Sequence, residues 1–160
     1  MYTSLDMKRL AALLAIVAFS SAETPQPATV KPGSELMAVI MQKVKEAPQN
    51  EAGALAMSGD GYTVALVHRE ATGLAASHGE GPSKGTEVHY IVEGAATVVT
   101  GGTIVRSGSG STRTATVEGG VVHNLKKGDV LFVPAGTPHW YKEIVSPVTY
   151  FEVRFNLERK

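Results

Sequence analysis

Apolar and polar positions along the chain fall into three regimes. Residues 10–19 form one unbroken apolar run. Residues 34–47 then carry Leu36, Val39, Ile40 and Val44 on one helical face, with Ser34 placed as N-cap and Pro48 closing the segment. That stripe is expected to lie against the outside of a domain or against a partner subunit. From Gly53 onward the pattern shortens to β-type runs separated by turn residues. The runs are residues 62–69, 74–78, 87–92, 96–100, 103–105, 114–117, 121–125, 130–133, a run opening at His139, and 148–155. Glu93-Gly94 reads as a turn between two of them, and residues 106–112 as a polar, flexible connection. Short strands at this close spacing predict an all-β sandwich or small barrel with one N-terminal helix.

The start of the chain changes the picture of where the protein works. Lys8 and Arg9 precede the apolar run, and Ser20-Ser21-Ala22 follow it, which is the three-part pattern of a secretory leader. The run is too short to span a bilayer by itself. Cleavage after Ala22 is expected, giving a periplasmic or secreted protein with no membrane association afterwards. Residues 23–52 then read as a proline-containing arm and the helix, and 53–160 as the β domain.

Composition narrows the chemistry. There are 17 glycines and 8 prolines, as a turn-rich β fold requires, and the formal net charge is zero, which argues against a nucleic-acid partner. The chain has no cysteine, so neither disulfides nor thiolate metal sites are available. Any metal must be held by histidine and carboxylate.

One stretch stands out, Gly128-Asp-Val-Leu-Phe-Val-Pro134-Ala-Gly136-Thr-Pro-His139. It reads as turn, strand and sharp corner, with His139 fixed where the next strand begins. A second module is His78-Gly-Glu80, followed by Glu87-Val-His89-Tyr-Ile-Val-Glu-Gly94. Residues two apart on a strand share a face, so Glu87, His89 and Ile91 point one way, and Val88 and Tyr90 the other.

These two stretches resemble the paired motifs of the cupin family. The second matches the family spacing through His139, after which Glu143 stands where the family has Asn. In the first, Glu87 and Gly94 keep the family spacing, whereas Glu80 replaces a histidine and the gap to Glu87 is longer. The resemblance implies a jelly-roll barrel with a ligand cavity at one mouth, a homodimer, and a metal held near the motifs. His89 is placed by strand parity to supply the imidazole that position 80 lacks. The candidate ligands are therefore His78, Glu87, His89 and His139, with the choice between Glu87 and His89 open. Such a set suits one divalent transition metal, Fe, Cu, Mn, Zn or Ni.

Tyr141 and Glu143 share the face of His139 if that strand is regular. They are candidates for proton transfer beside the metal, with a rim salt bridge from Glu143 to Lys142 or Arg154 as the alternative. Trp140 is expected to point outward, and His68 and His123 are read as structural. The expected function is a metal-dependent oxidoreductase acting on a small molecule or glycan. The alternatives are a non-catalytic ligand- or sugar-binding cupin and a metal-dependent lyase or isomerase.

Overall fold

The structure is a computed structural model, and it describes residues 27–46, 51–76 and 85–156. The segment 1–22, expected to be a leader, and the residues His78 and Glu80 lie outside the described residues. Within them the chain runs α1 (Gly33–Glu46), β1 (Glu51–Gly59), β2 (Tyr62–Arg69), β3 (Thr86–Thr100), β4 (Thr103–Ser107), β5 (Thr114–Glu118), β6 (Val121–Lys126), β7 (Val130–Val133) and β8 (His139–Phe155). The fold is a jelly-roll-like β arrangement with a single described helix. One sheet has the order β1-β2-β8-β3-β6, with β7 also paired to β3, and β4 and β5 form a separate hairpin. Ladders within both are antiparallel.

Two pairs of expected strands are each one long bent strand. Residues 87–92 and 96–100 join as β3, and the runs from His139 and 148–155 join as β8. The feature at Gly94 is a bulge within β3, with φ at +81°. A Cβ there would stand 2.0 Å from the Pro147 carbonyl oxygen, so only glycine lets β3 and β8 approach at this bend. The bulge also reverses parity. Glu87, His89 and Ile91 are buried before it, and Ala96 and Val98 after it. Strand β8 flips likewise, because Val98 faces Tyr141 while Thr97 faces Glu143, leaving Lys142 as an extra residue.

That flip corrects one expectation. Glu143 is exposed, and its carboxylate accepts a long 3.3 Å hydrogen bond from Thr97 on the outer surface. The assumption of a regular strand beyond Tyr141 fails at the bulge, so Glu143 is not beside His139's partners. Of the run expected at 74–78, the described part makes only a bridge, Ala76 to His139.

Three apolar clusters follow from this parity. The barrel interior packs Val67, Ile91, Ala96, Val98, Leu125, Leu131, Val133, Tyr141, Val148 and Tyr150. On the outside, Leu36 and Ile40 of α1 pack on Ala52, Ala54 and Leu66, with Val92 and Phe151 alongside. The helix thus lies on the outer face, although Val39 is turned to solvent and Met37 takes part instead. Trp140 points outward, but under the β4–β5 hairpin with Val99, Ala115 and Val117, where its indole donates to the Gly73 carbonyl.

Candidate metal centre

His139 is positioned by backbone before any ligand is considered. The corner closes with Thr137 N–H donating to Pro134 O at 3.0 Å, and Gly136 adopts a φ of +81°. His139 and Ala76 then exchange two backbone hydrogen bonds, of 2.8 and 2.9 Å, clamping the start of β8. The ring is fixed as well, since Nδ1 donates to the Thr137 carbonyl at 3.2 Å. A carbonyl only accepts, so Nδ1 is the donor, and the neutral ring then presents its lone pair at Nε2. That Nε2 lies 3.6 Å from Glu87 Oε2.

Glu87 and His89 come from the first half of β3, one period-two step apart, and both are 1 % exposed. His89 Nε2 stands 2.9 Å from Glu87 Oε2. Across the ladder, β8 sets Arg154 opposite Glu87 and Glu152 opposite His89. Arg154 uses its fork on both acids, with Nε donating to Glu87 Oε1 at 3.2 Å and Nη2 to Glu152 Oε1 at 3.0 Å. Both Oε2 atoms are left on the histidine side, with Glu152 Oε2 at 3.7 Å from His89 Nε2. One ligand atom each from Glu87, His89 and Glu152 lies within 4.8 Å of the others.

Of the sequence-predicted ligands, Glu87, His89 and His139 come together, and His78 lies outside the described residues. Glu87 and His89 face the same point, 2.9 Å apart. Glu152 was not expected. Its signal was the alternation Tyr150, Glu152, Arg154, which becomes readable only once the parity of β8 beyond its bulge is known.

Tyr141 is buried and its hydroxyl stands 3.0 Å from His89 Nδ1. Its ring stacks on Tyr150 at 5.2 Å, and Arg69 lies over it at 4.7 Å. Burial pushes the phenols of Tyr141 and Tyr150 well above their usual range, against the attraction of the Arg69 guanidinium. Tyr141 is therefore a protonated hydroxyl that orients His89. Arg69 donates to Tyr150 Oη at 3.0 Å and pairs with Glu51 at the surface. His68 is buried against the Thr149 hydroxyl at 2.8 Å, away from the centre. His123 is half-buried and bonds Thr100.

A divalent cation fits the group of Glu87, His89 and Glu152, with His139 beside it at Glu87. Two carboxylates face one guanidinium, so the cluster has a spare negative charge, and two imidazoles each turn Nε2 towards Glu87. Their other ring nitrogens are occupied by Thr137 and Tyr141, the arrangement that orients ligating histidines.

Comparison with known proteins agrees with this architecture. The family model for the cupins matches residues 55–157, more than half of the chain. No functionally curated protein matches the sequence. Among solved structures, TT1209 from Thermus thermophilus is similar at 19% identity, with 79% of this chain and 95% of that one covered and a TM-score of 0.52. An oxalate decarboxylase variant from Bacillus subtilis aligns at 21% identity over 68% of this chain, with a TM-score of 0.47, and the match spans 26% of the decarboxylase. HppE, solved with Fe(II) and an alternative substrate, aligns at 14% identity over 66% of this chain and 49% of its own, with a TM-score of 0.49. The family match over residues 55–157 places this chain in the cupin family.

Proposed function

We propose that this cupin is exported, binds one divalent transition metal through Glu87, His89, His139 and Glu152, and acts as a metal-dependent oxidoreductase of oxygenase or oxidase type on a small molecule or glycan. The observation that carries the reading is the division of labour within the two acids. Arg154 takes Oε1 of each, and Oε2 of each faces the His89 imidazole. Two imidazoles with two carboxylates suit Fe(II), Mn or Zn, and the first two of these supply one-electron chemistry when bound. The chain's own residues hold the site in shape. The Thr137 carbonyl fixes His139, Tyr141 fixes His89, and Ile91, Leu131 and Val133 form a dry wall behind them.

The test is metal analysis of purified protein after supplementation with Fe, Mn and Zn in turn. One ion per chain is expected, falling sharply in Glu87→Gln and His139→Ala. Uptake far below stoichiometry with all three would falsify the reading. Export is tested by sequencing the N-terminus of the protein released from cells, which should begin at Glu23. Sedimentation tests the homodimer, for which the family resemblance is the support.

One observation favours the non-catalytic alternative. Among the described residues every buried side-chain polar atom already has a partner, so the network closes on itself without an ion. In that reading the same groups hydrogen-bond a sugar or organic acid. Ligand binding that survives both a chelator and His139→Ala would select it. A metal-dependent lyase or isomerase would use the same ligands, and product analysis separates it from an oxidase.

A further inference from the structure

The inner wall of the barrel carries a second polar group that the ligand cluster does not use. On β6, Leu125 is buried in the core, His123 is half-buried and Val121 is exposed, so this face runs from the interior to the rim. Val98, in the interior core, is the ladder partner of His123, which places the imidazole on the inner face rather than the outer one. Its Nε2 lies 2.8 Å from the Thr100 hydroxyl. Thr100 in turn is the ladder partner of His139 on β8, in a register continuous through Val99 and Trp140. Thr100 thus stands between a proposed metal ligand and a second histidine, all on one wall. His123 Nδ1 has no hydrogen-bond partner among the described residues.

We infer that His123 and Thr100 form a substrate-contacting pair that holds the far end of a polyhydroxy acid whose near end lies at the metal centre. The inference deepens the metal-centre reading and rests on it for where the near end sits. Size follows from the ladder. His139 and His123 lie on strands separated by β3, two interstrand spacings or about 10 Å apart. A two-carbon acid anchored at the centre does not reach that far, whereas a chain of about six carbons does. Chemistry follows from the groups. A threonine hydroxyl and a neutral imidazole each both donate and accept, which suits hydroxyl groups on a flexible chain. The pair already satisfies one nitrogen of the ring, and a hydroxylated ligand can add a bond at His123 Nδ1 that an apolar ligand cannot make.

The experiment compares two probes, gluconate and acetate, by calorimetric titration of the purified Zn(II)-supplemented protein, with metal content measured on each sample. Wild type is compared with Thr100→Val, which keeps the side-chain volume, and with His123→Leu. A melting curve confirms that each variant folds. The expected result is that gluconate binds wild type more tightly than acetate does. Each substitution then weakens gluconate roughly tenfold, the scale of one lost hydrogen bond with its partner left unpaired, and leaves acetate and metal content unchanged. Gluconate bound equally by all three proteins, or no more tightly than acetate by wild type, overturns the inference. The two readings fail separately. A wild type that takes up no metal yet loses gluconate on these substitutions supports the pair and sinks the metalloenzyme. Full metal uptake with gluconate indifferent to residues 100 and 123 does the reverse.

Discussion

Arg154 sets the charge that the centre has to accommodate. It is the one cation bonded to both Glu87 and Glu152 among the described residues, and Glu87 is almost entirely enclosed. Removing it leaves a buried carboxylate without its counter-charge, a change that costs about 3 kcal/mol in comparable buried pairs. Arg154→Ala should therefore melt well below wild type, and a saturating divalent metal should restore more of that loss than it adds to wild type, read by differential scanning calorimetry. The acids also separate two readings of one strand. Glu152→Gln should weaken metal binding about tenfold or more, measured by competition with a chelating dye. Glu143→Gln should leave it unchanged, because that side chain lies outside the barrel on Thr97. Equal effects from the two would mean that the parity of β8 described above is wrong.

Long bent strands bring distant residues onto one inner face, and the bends are where sequence reading stopped. The motif through His139 was legible because its proline, glycine and spacing encode a local corner. Parity alone was sufficient to put Glu87 and His89 together, since both lie in a regular stretch of β3. Glu143 was expected inside and Glu152 was missed because an extra residue at Lys142 has no residue-type signature, and its immediate neighbours are neither glycine nor proline. Gly94 was visible as a break, and what was hidden was that β3 continues through it. Gly94→Ala tests that bend. The positive φ and the overlap with Pro147 predict a loss of about 2–4 kcal/mol in urea unfolding, with weaker metal binding, since the first half of β3 carries Glu87 and His89 and the second half pairs with the start of β8 at His139. Ile40→Ala is the control from the opposite layer. Its side chain is fully enclosed beneath α1, so stability should fall by about 2–4 kcal/mol while metal affinity holds.

At the scale of the whole molecule, the interior of the barrel is both its core and the back wall of its centre. Tyr141 and Tyr150 belong to that core, stacked on each other and on His89. Burial raises both phenols above the value they have in the unfolded chain, and Arg69 offsets only part of the rise. The folded protein thus keeps two protons that the unfolded chain releases above about pH 10. Between that pH and the folded-state values the unfolded state binds fewer protons, so stability must fall as pH rises, by up to about 1.4 kcal/mol per pH unit for each phenol. Below that window the contribution is fully present and the phenols add no slope. Urea unfolding of metal-free protein at a series of alkaline pH values should show this decline. Tyr150→Phe should flatten it by about one phenol's share, while also costing stability at neutral pH through the lost bond from Arg69. An unchanged slope in that variant would mean that the Tyr150 hydroxyl is hydrated. The aromatic stack behind His89 would then be no barrier between the centre and solvent.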